Sequence, residues 1–401
     1  MARFSVDFLG CKVSHVDAHE IGERLLADGH VAARPGERAD VAVISSCCVT
    51  NEALAKSRKA AARAARTHGQ VYVTGCGANL AGAGLSGLSE NVTVVRRSAE
   101  ETPAFVAGDV GAIGCVQGAG RLERVRAFVK IQDGCSFSCS FCVIPLVRGA
   151  TRSRSADAVL REVRRRVEQG HPEVVLTGIN LGCFRDRAAG YDLPRLVRAV
   201  GSTPGLARLR LSSIEINHVN DALVEALRET PTVSRHLHVP LQSGDDAVLR
   251  AMRRRYTSAT YLRKLEPLAA DFNLTSDVIV GFPTEDEAAF ERTLATVEGA
   301  GLSRVHVFPY SPRPGTVTAA DDRVPPAAKK ERGVRLRALS DELERRRWRS
   351  KLGARDSVLV DRPGRGYGDD YTPFLVDAPV GELVEVRATS IAAEGIRAVA
   401  A

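Results

Sequence analysis

The sequence predicts an α/β protein in three parts: an N-terminal parallel α/β domain, a central partial (βα)6 barrel and a small C-terminal β-barrel. Three observations predict it. Short apolar runs alternate with helical stretches from the first residues to about 320, the pattern of parallel sheets. A glycine-rich segment from Gly108 to Gly120 interrupts that alternation and reads as a linker. After a long charged helix near 325–352, the pattern changes to short β-type runs broken by glycines. The expected bounds are 1–118, 119–345 and 346–401.

In the first part the strands are expected at Phe4–Phe8, Val41–Ile44 and Val71–Thr74. Helices are expected at Val16–Ala27 and at Asn51–Thr67, the latter capped by Thr50 or Asn51. In the second part six apolar runs read as strands: Phe128–Gln132, Val174–Thr177, Leu209–Leu211, His236–Val239, Leu274–Val280 and Val305–Phe308. Helical patterns such as Asp157–Gln169 and Glu285–Ala300 lie between them. In a parallel barrel, chemistry sits at the C-terminal strand ends. The last strands are expected at Ser357–Val360, Phe374–Val376 and Leu383–Val386.

The 401 residues include 44% hydrophobic ones, enough for sizeable cores, and no apolar run of eighteen that would suit a membrane span. The N-terminal stretch lacks the apolar region of a secretory signal, so the expected location is cytoplasmic. In such a chain nine cysteines point to metal or redox use rather than disulfides. The net charge of +8 suits a polyanionic partner, and a solvated arginine-rich surface accounts for it equally well.

The strongest local signal is Cys135-Ser-Phe-Ser-Cys139-Ser-Phe-Cys142, directly after a strand and the turn Asp133-Gly134. A loop of that size wraps three thiolates around one face of a cubane and leaves its fourth iron open to a small chelating molecule. A structural zinc site would need a fourth ligand, and the next candidates are His171 and Cys183. Cys11, Cys47 and Cys76 each lie just past a predicted strand, so a parallel sheet brings them to one edge, where they suit a second cluster. Cys48, Cys115 and Cys183 are read as ordinary cysteines. Cys48 follows a proposed ligand and points the other way in extended backbone.

The spacing Cys135, Cys139 and Cys142, with the aromatic Phe141, resembles the radical S-adenosylmethionine (SAM) superfamily. The whole chain resembles its methylthiotransferase family. The resemblance rests on Gly10-Cys11-Lys12-Val13, Cys47 with Val49-Thr50-Asn51, Thr74-Gly75-Cys76 and Lys130-Ile131-Gln132-Asp133-Gly134-Cys135. It continues through Arg148-Gly149, Leu176-Thr177-Gly178-Ile179-Asn180, Pro240-Leu241-Gln242-Ser243-Gly244, Gly281-Phe282-Pro283 and Arg313-Pro314-Gly315-Thr316. Lys12 and Ile179 are most similar to the branch that acts on N6-threonylcarbamoyladenosine at position 37 of tRNA. Other branches act on isopentenyladenosine-37 or on ribosomal protein S12. Ser14, Ser45 and Ser46 depart from the family's usual residues near the first cluster.

The resemblance implies two [4Fe–4S] clusters, held by Cys11, Cys47 and Cys76 and by Cys135, Cys139 and Cys142. It implies SAM as cofactor, near Phe141, Gly178, Glu215, Gln242, Ser243 and Gly281. One SAM methylates sulfur on the auxiliary cluster; a second yields the radical that abstracts hydrogen from C2 of adenine, which then takes up the methylthio group. The C-terminal part is expected to be a TRAM-like domain. Implied partners are the tRNA anticodon loop and an electron donor such as flavodoxin or ferredoxin, with neither membrane nor DNA. Arg148, Arg152 and Arg154 are candidate RNA contacts, with the helix bearing Lys56, Arg58, Lys59, Arg63 and Arg66. A reading from another class is a non-catalytic iron–sulfur RNA-binding protein.

Overall fold

The computed structural model describes residues 2–34, 36–111 and 125–401. Cys115, most of the expected linker and the expected 118/119 boundary lie outside them. The chain forms two compact units. One comprises Met1–Glu123, Asp133–Thr151 and Ser311–Asp321, and the other comprises Arg124–Gln132, Arg152–Tyr310 and Asp322–Ala401.

The first unit is built on β1 (Arg3–Phe8), α1 (Lys12–Ala27), β2 (Val31–Ala32), β3 (Val41–Ser46), α2 (Asn51–Thr67), β4 (Gln70–Thr74), α3 (Gly75–Asn79), β5 (Val92–Val94) and α4 (Thr102–Gly111). The strands form one parallel sheet in the order β2-β1-β3-β4-β5. β3 is central and buried along its whole length, which is why its first four residues, Val41 to Ile44, read as an unbroken apolar run. Helix α4 occupies the start of the stretch read as linker. Thr50 caps α2 by accepting from the Ala53 amide at 3.0 Å. The buried residues of α2 are Leu54, Ser57, Ala61 and Ala64, so Lys56, Lys59, Arg63 and Arg66 stand on its exposed side. Residues 133–151 add α5 (Ile144–Arg148) to this unit.

The second unit begins with β6 (Arg126–Asp133), β7 (Arg152–Ser153), α6 (Ala156–Glu168), β8 (Glu173–Gly178), the short pair β9 (Arg185–Asp186) and β10 (Tyr191–Asp192), and α7 (Leu193–Gly201). It continues with β11 (Arg208–Leu211), α8 (Asp221–Glu229), β12 (His236–His238), α9 (Asp246–Ala251), α10 (Ser258–Ala269), β13 (Asn273–Val280), α11 (Glu287–Gly299), β14 (Arg304–Pro309) and α12 (Pro326–Ser350). Parallel pairing joins β6 to β8, β8 to β11, β12 to β13 and β13 to β14. A bridge between Leu209 and Val233 and the Ile214 amide donating to His238 O at 2.9 Å join the two halves. Six parallel strands in chain order with intervening helices make the expected partial (βα)6 barrel, and all six sequence-predicted strands fall on them.

The C-terminal strands β15 (Arg355–Arg362), β16 (Arg365–Tyr367), β17 (Pro373–Leu375), β18 (Leu383–Ala392) and β19 (Gly395–Ala400) close into a barrel in the order β15-β16-β17-β19-β18. Val358, Val360, Phe374, Val386 and Ile396 fill it, and Trp348 of α12 packs against them. Glu173, the first residue of β8, is almost fully buried and sits at 3.0 Å from Arg210 Nε, 3.2 Å from Arg126 Nε and 3.4 Å from Arg208. Arg208 donates onward to Ser357 O at 2.6 Å and Tyr367 O at 3.3 Å; Arg210 donates to Gly368 O and Asp369 O. The small barrel is therefore docked at the starting ends of the parallel strands, opposite the ends that carry Gly178 and Glu215. Among the described residues no helix is long and apolar enough to cross a membrane.

Candidate functional site

Three neighbouring strands of the first unit deliver three thiols. The register places Phe8, Ser45 and Thr74 side by side at the ends of β1, β3 and β4. Cys11, Cys47 and Cys76 follow within three residues of those positions. Cys11 is exposed at the start of α1, whereas Cys47 and Cys76 are buried. Gly10 has φ +136, and a Cβ there would come within 3.3 Å of the Cys47 sulfur, so the loop bearing Cys11 closes over Cys47 only without a side chain. The serines that depart from the family pattern support these loops. Ser14 Oγ lies 3.7 Å from the Cys11 sulfur, Ser45 Oγ donates to Ser14 O, and Ser46 Oγ accepts from the Ala78 amide at 3.0 Å. Ser57 Oγ accepts from the Cys47 amide at 3.0 Å.

Arg148 supplies positive charge here. Its Nε donates to the Cys76 sulfur at 3.0 Å, while the remaining nitrogens bind Asp17 at 2.7 Å and Asp133 at 3.0 Å. Burial pushes the Cys76 thiol up to about 12, and the Arg148 charge draws it back. Burial likewise raises the Cys47 thiol. Burial would weaken the Arg148 cation, but Cys76, Asp17 and Asp133 hold it protonated. Arg148 is only 5% exposed, and a phosphate would have to displace two carboxylates to reach it. Its assignment as an RNA contact is corrected accordingly. Cys48 is buried among Ile44, Leu54 and Val73, and its carbonyl accepts from the buried Arg313 at 3.4 Å.

The second trio lies on a loop pinned at both ends. Gly134 has φ +67, and the Ala150 carbonyl leaves no room for a Cβ. The Cys135 amide donates to Gly149 O at 3.0 Å, and Ser136 and Thr151 exchange hydrogen bonds at 3.0 and 3.1 Å. Thr318 binds Ser140 O near the middle of the loop. Cys135, Cys139 and Cys142 are half-buried and form no disulfide, and Phe141 is half-buried beside them. Both trios thus fit thiolate-bound clusters: sulfurs in no disulfide, gathered at strand ends or on a loop held by backbone bonds, one of them beside a fixed cation.

In the second unit, the strand ends differ residue by residue. Gly178 lets Gln132 fold across the end of β8, where its Oε1 accepts from the Asn180 amide at 2.7 Å. Glu215 accepts from the Asn217 amide at 2.9 Å and from Arg254 at 3.2 Å. Gln242 has φ +67 and bridges to β13 through its backbone. Beside them, Thr177 Oγ1, Asn180 Oδ1 and Ser212 Oγ are buried with no hydrogen-bond partner. Orphaned polar atoms at strand ends are where a polar ligand fits. The sequence reading missed these three, although Thr177 and Asn180 flank the glycine it chose.

Two expected cofactor residues are used otherwise. Ser243 is fully buried; its Oγ lies 3.4 Å from Thr293 Oγ1 and accepts from the Asp245 amide, so it braces α9 against α11. Gly281, at φ +72, donates to Glu285 at 2.6 Å and leaves room for Lys329 of α12. Phe282 is buried edge-on to Tyr310, 5.3 Å between centroids, which is core packing. Arg154 is engaged by Glu162 and Lys130 O, and Arg152 is half-buried.

Two family models match the chain: the radical SAM superfamily over residues 129–297, and the uncharacterised family UPF0004 over residues 3–96. A threonylcarbamoyladenosine tRNA methylthiotransferase from Thermotoga maritima is 33% identical, over 99% of this chain and 96% of its own. A tRNA-2-methylthio-N6-dimethylallyladenosine synthase from Roseobacter denitrificans is 31% identical, over 94% of both. Among solved structures, a radical SAM methyltransferase from Kitasatospora setae with cobalamin and a [4Fe–4S] cluster bound superposes with a TM-score of 0.59 at 12% identity. It covers 80% of this chain and 77% of that one, a likeness of fold alone.

Proposed function

The chain belongs to the radical SAM methylthiotransferase family, and on that premise we propose that it converts N6-threonylcarbamoyladenosine at position 37 of tRNA to its 2-methylthio derivative. The observation that carries the reading is the gathering of Cys11, Cys47 and Cys76 at three adjacent strand ends in a chain that also holds the Cys135, Cys139 and Cys142 loop. Overall identity differs little between relatives of the two tRNA branches, so the choice of nucleoside rests on Lys12 and on Ile179.

Cys11, Cys47 and Cys76 would hold the auxiliary [4Fe–4S] cluster, and Cys135, Cys139 and Cys142 the one whose open iron takes SAM. When bound, these groups supply reductive cleavage of SAM to an adenosyl radical and the sulfur that is methylated and transferred. The protein's own part is positioning and charge. Arg148 places a cation beside Cys76, which favours an anionic sulfur site. Thr177, Asn180 and Ser212 offer polar atoms to the cofactor, with Glu215 held in place by Arg254 and Asn217. The exposed Lys56, Lys59, Arg63 and Arg66 of α2 would take up tRNA phosphates while the modified base is exposed for reaction.

We assign the three sequence segments 1–118, 119–345 and 346–401 as the family's auxiliary-cluster, radical SAM and TRAM-like modules. The setting we propose is the cytoplasm, with flavodoxin or ferredoxin as reductant. The test is nucleoside mass spectrometry of tRNA from cells with and without the gene. Loss of 2-methylthio-threonylcarbamoyladenosine with build-up of the unthiolated nucleoside supports the reading. An unchanged nucleoside, with loss of the isopentenyl derivative or of the methylthio group on protein S12, overturns the substrate.

A further inference from the structure

The concave side of β12, β13 and β14 carries a cluster that the proposed reaction does not use. On β13, Leu274, Ser276, Val278 and Val280 are buried on the side of the helices, so Thr275, Asp277 and Ile279 face the other way. The register sets His238 beside Thr275 and His306 beside Asp277. His238 Nε2 is 3.1 Å from Asp277 Oδ2, and its Nδ1 is 3.0 Å from Thr275 Oγ1. The His238 and His306 rings are 5.6 Å apart between centroids. One donor atom from each of His238, Asp277 and His306 lies within 4.8 Å of the other two.

We propose that His238, Asp277 and His306 form a binding site for a divalent transition-metal ion, separate from the cysteine sites. Two imidazoles and one carboxylate on adjoining strands are a donor set suited to iron(II), zinc or manganese and leave further coordination positions open. Thr275 ties up Nδ1 of His238 and directs Nε2 toward Asp277. Metal-binding histidines are oriented in that way by a partner on the second nitrogen. Bonds of about 2.1 Å require the three donors to draw closer. His306 is exposed, so a side-chain rotation at that position accomplishes it.

The open positions lie toward the concave side. A hydroxyl and a carboxylate borne by one substituent would fill them, and a threonylcarbamoyl group carries both. That last step rests on the nucleoside proposed above; the metal site does not.

The experiment uses the full-length, cluster-loaded protein, stripped of loose metal with a chelator and titrated anaerobically with cobalt(II). The expected result is a single tight equivalent with weak d–d bands and no thiolate charge-transfer band. Asp277→Asn, which keeps the shape, and His306→Ala, at an exposed position, should each weaken cobalt binding by about tenfold or more with cluster absorbance intact. No cobalt uptake by the wild type, or equal uptake by both variants, overturns the site. Adding threonylcarbamoyladenosine should shift the d–d bands and adenosine should not. If the bands stay still while tRNA mass spectrometry upholds the nucleoside, the substrate contact is wrong and the metal site stands on the titration.

Discussion

Arg148 Nε donates to the sulfur of Cys76 at 3.0 Å, and the same guanidinium is clamped by Asp17 and Asp133. One buried cation thereby links α1, the end of β4 and the loop after β6. Replacing it leaves two buried carboxylates facing each other without a counter-charge, a change that costs about 3–5 kcal/mol. Arg148→Met should lower the melting temperature and reduce iron and sulfide content to near that of a one-cluster protein. Arg148→Lys should keep part of the cluster but lose the three-way fork. Metal analysis and thermal melts check both.

Neighbouring cysteines should separate cleanly. Cys76→Ala should remove the auxiliary cluster and abolish methylthio transfer, while SAM is still cleaved. Cys48→Ala removes one thiol from an apolar cluster and should leave cluster content unchanged, at a cost of about 1 kcal/mol. Iron analysis and assay of 5′-deoxyadenosine distinguish these outcomes. Loss of iron in Cys48→Ala would mean that it is a ligand.

Glu173 sets an acid limit on stability. Burial alone would raise its pKa, but Arg210, Arg126 and Arg208 outweigh burial and bring it down from 4.5 to about 2. A depressed carboxyl contributes stability above its unfolded value and loses it as pH falls through the folded value. The contribution, about 3 kcal/mol, is therefore full above pH 5 and fades between about pH 4.5 and 2. Glu173→Gln should be less stable than wild type at pH 7, and the gap should narrow on acidification. Melts over that range check the slope.

Gly281→Ala forces a side chain into φ +72 and against Lys329. The expected loss is about 1–3 kcal/mol of stability. SAM binding, measured after refolding the population at low temperature, should change less than the melting temperature does. A variant that melts normally but binds SAM poorly would restore Gly281 to the cofactor site.

The central parallel strands were legible because they are buried on both faces and read as apolar runs. β3, with every residue buried, is the clearest case. The placement of Cys11, Cys47 and Cys76 at one sheet edge was legible because each follows a strand end. Arg148 was misread because its partners are distant in sequence: Asp17 is 131 residues away. Only Asp17's position among the buried residues Val13, Val16 and Ile21 of α1 hinted at a paired charge inside. Ser243 was misread for a similar reason. It follows a barrel strand in sequence, yet its partner, Thr293, belongs to a helix 50 residues on. Where side chains pair across the fold, local pattern carries no trace of the pairing.

The seam between the (βα)6 sheet and the small terminal barrel is read by Arg208 and Arg210 through four carbonyl oxygens, at Ser357, Tyr367, Gly368 and Asp369, and through three side chains: Arg208 meets the Asp369 carboxylate at 3.5 Å, Arg210 lies over the Tyr371 ring and Arg126 reaches Asp361 at 3.6 Å. Every residue offers the same carbonyl, so barrel side chains other than those that meet the seam, such as Asp361, Asp369 and Tyr371, are free to diversify without loosening its attachment. Lineages can thus retune what that barrel touches while its mounting stays the same. A barrel grafted from elsewhere would need matching backbone at four points, carboxylates at the places of Asp361 and Asp369 and an aromatic ring at that of Tyr371, together with a carboxylate and three guanidiniums left undisturbed beneath it.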